Sequence, residues 1–321
     1  MNAASTRSEA LRLRAALNAL VRLFLAERDV LEVETPILSQ AGNSDPNIQS
    51  FTATFSGHVD AGSRTRWLRT SPEYPLKRLL AEGIGDCYEL GRVFRNGESG
   101  GRHNPEFTML EWYRLGMDHL QLSEEVVALV QRALGLVGRE AEVASCTYRE
   151  LFEQALGLDP LTASEARLRA ALRDTEIEAG DMGRDDWLDL LLTHRIQPRF
   201  PAERITVVRD WPASQCALAR IRPGEPPVAE RFEVFLGTIE LANGYHELTD
   251  AAEQHERFMH DLARREAKVA PLPPLDERLI HSMARGMPAC AGVALGMDRL
   301  LMGLLGTDRI AEVLAFDFPR A

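Results

Sequence analysis

The sequence predicts an α+β fold on three observations. First, apolar residues recur at helical spacing in separate stretches, most clearly Leu13, Leu17, Leu20, Val21 and Phe24 within residues 8–28. Second, residues 87–114 read as two extended runs joined by a polar, glycine-rich loop. Third, residues 291–305 read as a strand (AGVAL), a turn (GMD) and a helix (RLLMGLLG), with neither a Walker A loop nor a GxGxxG pattern.

The elements follow in order. The 8–28 helix breaks at Asp29 into an alternating strand, Val30–Thr35, ended by Pro36. Residues 40–66 read as loop and hairpin, with Trp67–Arg69 extended. Ser71 suits an N-cap and Pro72 the first helical position of a helix PLKRLLAEG, whose exposed face Glu73 and Lys77 would share. After the 87–114 hairpin come an amphipathic helix at 119–139 and helices across 147–200, including 163–180. There Leu188, Leu191 and Leu192 belong to the core, and His194 reads as a surface or capping residue. Ile205–Val208 is a strand, 222–230 the most loop-like stretch, RFEVFLGTIELANGYHEL strongly extended, and 250–270 and 276–287 helical.

Composition narrows the function. At 321 residues, 45% hydrophobic and 26% charged, the chain is of ordinary globular make-up, with ample material for a core. No apolar run reaches the ~18–20 residues that span a bilayer, and the N-terminus has no signal-peptide core. Cys87, Cys146, Cys216 and Cys290 lie far apart, which argues against a zinc-binding pair or disulfide framework and fits the cytoplasm. A net charge of −11 argues against a broad nucleic-acid surface.

Three places carry more organisation than packing requires. On the second run of the 87–114 hairpin, Phe107, Met109, Glu111 and Tyr113 share one face, and Arg95 closes the first run where an anion-binding residue would stand. An exposed hairpin with scattered polar residues is the simpler reading of that segment alone. In Glu240–Glu247, two carboxylates seven residues apart would face opposite sides of a strand, unless a bulge at Asn243-Gly244 brings them to one side. There they could hold Mg2+ with phosphates, or grip an ammonium. A hairpin with an Asn-Gly turn and solvated acids fits the octapeptide equally well. In Gly292–Arg299, Gly292, Ala294 and Gly296 leave one strand face nearly bare, and Arg299 in the first helical turn could hold phosphate. Such strand–helix junctions are common.

Together these segments resemble the three signature motifs of class II aminoacyl-tRNA synthetases, closest to the lysyl-tRNA synthetase subgroup. Val30–Pro36 resembles motif 1, FRN…HNPEFTMLEWY motif 2 and GVALGMDRL motif 3, in order from about Leu11 to Phe318 with TSPEYPLKRLL and TIELANGYHELTDA between. Two departures stand out. No room precedes Ser8 for an anticodon-reading OB domain, and Ala294 replaces the motif 3 glycine of lysyl-tRNA synthetases. Both are similar to the truncated paralogues that ligate lysine, preferably (R)-β-lysine, onto a lysine of translation elongation factor P. A third difference is local: Gly97-Glu98 follows Arg95-Asn96 where the family has an acidic residue directly.

The resemblance implies a single catalytic domain over 1–321, a central antiparallel sheet flanked by helices, a homodimer through motif 1, and a cytoplasmic, membrane-free enzyme. It implies ATP and Mg2+ as cofactors and elongation factor P as acceptor, and argues against tRNA as a partner. By the same resemblance, Arg95 and Arg299 are catalytic. ATP contacts would come from Arg95, Asn96, Gly97, Asn104, Phe107, Glu240, Leu241, Gly296 and Arg299. Ser71, Pro72, Glu73, Tyr113, Glu247 and Ala294 would surround the lysine-like substrate, with Glu240 and Glu247 as metal ligands. A tRNA-charging enzyme and a non-catalytic synthetase-like regulator are the competing expectations.

Overall fold

The computed structural model describes residues 3–172 and 182–321; the latter part of the expected 163–180 helix lies outside them. The fold is mixed α+β, as expected, and divides into two compact units: Met1–Met117 with Thr249–Ala321, and Asp118–Leu248.

The first unit opens with α1 (Ala3–Ala26), which buries Leu17, Val21, Phe24 and Leu25. Each such burial stabilises by about 1.5–3 kcal/mol. Asp29 stops the helix by adopting φ 57°, a left-handed conformation that Asp tolerates better than most side chains. The expected Val30–Thr35 strand contracts to β1 (Leu31–Glu32), extended by one further bond from Val33 N–H to the Tyr88 carbonyl at 2.9 Å. Next, β2 (Leu38–Ser39), β3 (Thr52–Thr54) and β4 (Thr65–Leu68) form a small separate sheet with β4 in the middle.

Helix α2 (Glu73–Ala81) starts one residue later than the sequence suggests. Pro72 occupies the cap position, and the Ser71 hydroxyl accepts only a long 3.4 Å bond from Glu73 N–H. Lys77 does not lie on an exposed face: it is fully buried, and its ammonium donates to Glu73 Oε1 at 2.6 Å. The expected hairpin forms as β5 (Cys87–Phe94) and β6 (Glu106–Leu115).

The second unit begins with α3 (His119–Gly135), capped by Asp118 with Gln121 reciprocating. Strand β7 (Glu142–Thr147) escaped the sequence reading because it is a largely exposed edge with no alternating apolar pattern. Helices α4 (Tyr148–Leu156), α5 (Glu165–Ala170) and α6 (Arg184–Leu191) follow. They pack on a core of Tyr148, Phe152, Trp187, Leu188, Trp211 and Phe235, with Leu191 and Leu192 buried as expected and His194 exposed. Strands β8 (Arg204–Pro212), β9 (Ile221–Arg222), β10 (Val228–Leu236) and β11 (Ile239–His246) complete the unit. The 222–230 loop is therefore shorter than expected, and the long extended segment is two strands that reverse at Gly237, where φ is 55°. The strand order is β11-β10-β8-β7, with β9 beside β10.

Back in the first unit, α7 (Ala251–Ala267) and α8 (Glu277–Ala284) precede β12 (Cys290–Gly296), which passes into α9 (Met297–Leu305) without the expected turn. The strand order there is β1-β5-β6-β12. Pairing is antiparallel, as expected, apart from β1 on β5 in the first unit and β7 on β8 in the second. Among the described residues no helix is long and apolar enough to cross a membrane.

Candidate functional site

In the first unit, the two unusual strand faces read from the sequence are neighbours. The β6–β12 register sets Met109 against Gly296, Glu111 against Ala294 and Tyr113 against Gly292. The side chains of β6 therefore stand beside a strip with no side chain larger than a methyl. Glu111 and Tyr113 are both 2% exposed, and the Tyr113 hydroxyl donates to Glu111 Oε1 at 2.8 Å. On its other flank Glu111 pairs with Glu89, and Met109 with Gly91. Gly91 has a clear reason to lack a side chain: a Cβ there would lie 2.5 Å from the Arg69 guanidinium.

Arg69 belongs to a buried network that sequence reasoning missed. It pairs with Glu89 at 2.6 Å, and Glu89 accepts from the Thr35 hydroxyl at 2.6 Å. Nothing in the sequence links residues so far apart. The network ties the segment after β1 to the middle of β5.

Phe107 lies at the outer end of the β6 face, with the Arg95 guanidinium 5.2 Å from its ring centroid. Arg95 is steered by a long bond to the Thr70 carbonyl (3.4 Å) and by Glu98 at 3.7 Å. The Gly97-Glu98 departure has a structural role here. Gly97 adopts φ 85°, which glycine takes at little cost, and the resulting turn places Glu98 within ion-pair reach of Arg95. Asn96 forms an isolated bridge with Gln49. Asn104 is tied into the fold: its amide donates to the Glu106 carbonyl at 2.6 Å, and its oxygen accepts from Phe318 N–H at 2.9 Å.

Arg299 sits in the first turn of α9, and its guanidinium meets His103 Nε2 at 2.7 Å. Asp298, beside it and 1% exposed, was not singled out from the sequence. It accepts from Thr108 N–H at 2.7 Å and forms an ion pair with Arg14 of α1. One buried carboxylate thus sets the start of α9, and Arg299 with it, against the β6 residue next to Phe107. The only sequence signal for this was an acid in the first turn of an apolar helix.

In the second unit, the bulge expected in Glu240–Glu247 is present but lies elsewhere. Val234 pairs with Ala242 and Phe235 with Glu240, so Leu241 is the extra residue. Asn243 and Gly244 lie in regular ladder, opposite Glu233 and Phe232, so there is no Asn-Gly turn. Residues paired across a ladder share a face. The bulge therefore brings Glu240 to the face of Asn243, Tyr245, Glu233 and Arg231, and Glu247, 2% exposed, continues that alternation. Arg231 donates to Glu233 at 2.6 Å and to Asn243 at 3.2 Å, and it lies 4.2 Å over the Trp211 ring. Burial, with the charge of nearby Glu240, pushes the Glu233 carboxyl up to about 8 despite Arg231. A face that crowds carboxylates in this way favours a bound cation, and hard carboxylate oxygens at Glu240 and Glu247 fit Mg2+.

The structure thus groups Arg95, Asn96, Gly97, Asn104, Phe107, Tyr113, Ala294, Gly296, Arg299 and the Ser71–Glu73 turn in one unit, and Glu240 and Leu241 on β11, with Glu247 just past its end, in the other. The model of the tRNA synthetase class II (D, K and N) family matches residues 2–320. The chain therefore belongs to that family of ATP-dependent ligases.

Proposed function

We propose that this class II synthetase relative activates lysine or (R)-β-lysine with ATP and ligates it to a lysine of translation elongation factor P. The amino-acid carboxylate attacks the α-phosphorus, a carboxyl oxygen–phosphorus bond forms, and the bond to pyrophosphate breaks. The acceptor amine then attacks the acyl carbon of the adenylate, AMP leaves with the bonding electron pair, and the amine loses a proton. Positioning and charge stabilisation do most of such work.

Arg95 would neutralise the α-phosphate and the incoming carboxylate, with Phe107 stacked on adenine. Arg299 would hold the distal phosphate. Glu240 and Glu247 would hold Mg2+, which shields phosphate charge when bound. Glu73, Glu111 and Tyr113 would bound the amino-acid end. Lys77 already neutralises part of Glu73, so Glu73 acts chiefly as a hydrogen-bond acceptor in this reading.

One observation carries the reading to a lysine-like substrate other than the ordinary one. Ala294 stands directly across from buried Glu111 and within the bare strip of Gly292 and Gly296. A single methyl there shifts discrimination by about 1–3 kcal/mol, enough to separate isomers. A dimer formed through the segment around β1 is part of the same proposal.

ATP–pyrophosphate exchange with lysine and β-lysine isomers, followed by label transfer to elongation factor P or tRNA, tests it. Exchange with transfer to elongation factor P is expected. Transfer to tRNA alone overturns the acceptor, and no exchange with any lysine overturns the enzyme.

A further inference from the structure

One cluster of metal-ligating side chains plays no part in this reading. It lies wholly within the second unit, on the other face of its strands. Arg231 pairs with Tyr245, so the adjacent Glu230 and His246 fall on the side opposite Glu233 and Asn243. His119, the first residue of α3, joins them. One ligand atom from each of His119, Glu230 and His246 lies within 4.8 Å of the others. Donors about 2.0–2.1 Å from a tetrahedral zinc ion sit roughly 3.4 Å apart, so modest side-chain rotation closes the set.

His119 is 2% exposed, and its Nε2 meets Asp210 Oδ1 at 3.3 Å. Its Nδ1 is buried with no hydrogen-bond partner. Such an orphan is unfavourable unless something completes it. A carboxylate on the far ring nitrogen is how proteins orient a ligating imidazole. Asp210 is itself held in an unusual conformation, φ 58°, where the β8–β10 register shifts. His246 Nδ1 and Glu230 Oε2 stand 2.6 Å apart, a hydrogen-bond contact that a cation would replace.

Two cations of the chain also face this cluster. Arg222 reaches Asp210 at 2.7 Å and Glu230 Oε1 at 3.5 Å, and Arg209 reaches Asp210 Oδ2 at 3.0 Å. The Arg222 side chain is 43% exposed, so its guanidinium can withdraw to solvent when another positive charge arrives.

We propose that His119, Glu230 and His246 bind a single Zn2+ ion, with Asp210 orienting His119 and water completing the coordination. Two imidazoles and one carboxylate select zinc over magnesium, which prefers an all-oxygen shell. The ion would link the start of α3 to β10 and β11, and its binding does not depend on the ligase reading.

Equilibrium dialysis of the whole protein with ZnCl2, in large excess of Mg2+ to fill carboxylate sites, should give one tightly held zinc per chain. His119→Gln, Glu230→Gln and His246→Gln should each weaken it by at least roughly tenfold. CoCl2 added to the unmutated protein should give the intense visible bands of a tetrahedral ion, a readout that needs no variant to fold. Absence of stoichiometric zinc and of those bands overturns the site. So does undiminished binding in all three variants with native circular dichroism.

Discussion

The loop around Arg95 and the β11 face around Glu240 handle opposite charges by opposite means. In the unit of Arg95 several cations have a nearby companion: Glu98 beside Arg95, His103 beside Arg299, Asp298 beside Arg14. The Arg95 contact is long and only partly buried, so a phosphate can replace its partner at small cost. On β10 and β11, by contrast, Glu233 and Glu240 share a face with Arg231, and Glu233 is forced towards neutrality. An anion site can thus be built from loosely tethered arginines. Acids crowded beside a single base, as on that face, would suit a cation.

The largest effect should come from breaking the anion side. Arg95→Ala should lower lysine-dependent ATP–pyrophosphate exchange by a factor on the order of 10³, because a charge aimed at the reacting phosphoryl group is lost. Retained exchange would show that the motif 2 assignment is wrong. Next in size is the tie beneath Arg299. Asp298→Ala leaves Arg14 facing a buried void and should cost about 3–5 kcal/mol in urea denaturation. A loss below roughly 1 kcal/mol would mean that the α1–α9–β6 tie carries little.

A smaller effect is expected from Ala294→Gly. The ratio of kcat/KM between lysine and β-lysine in exchange should move towards ordinary lysine by about 1–3 kcal/mol. An unchanged ratio would remove Ala294 from the pocket. The smallest effect sharpens the cation side. The folded-state pKa of Glu233 is raised to about 8 from an ordinary 4.5, so the folded chain holds a proton that the unfolded chain releases. Stability should therefore fall as pH rises from about 4.5 to 8. Glu233→Gln should flatten that slope by on the order of 1 kcal/mol per pH unit, read from denaturation midpoints across the range. Equal slopes in both proteins would mean that Arg231 keeps Glu233 charged throughout.

Much of the unit containing Arg95 was legible in the sequence because its signals are local. Alternation along β6 put Phe107, Met109, Glu111 and Tyr113 on one face, and the small residues of β12 announced the bare strip. Their adjacency was not legible, because nothing in either segment states its strand partner. The Glu240–Glu247 bulge was foreseen, yet its position was not. Gly244 seemed to mark it, but pairing with β10 fixed it at Leu241. Helix α2 misled for a similar reason. The i,i+4 spacing of Glu73 and Lys77 reads as a solvated pair, and only packing shows Lys77 to be fully buried.

By itself, then, the sequence determined the α+β class, the course of most helices, and the residue types along the motif strands, because periodicity and caps are properties of neighbouring residues. The tertiary structure decided which distant charges meet: Glu89 with Arg69, Asp298 with Arg14, His119 with Asp210, Glu230 with His246. Those pairings depend on strand order and register, which long-range burial sets and no short stretch of chain records. The bare strip of β12 shows the division most simply. Its small residues are written in the sequence, but their place beside Glu111 and Tyr113 exists only once β12 pairs with β6.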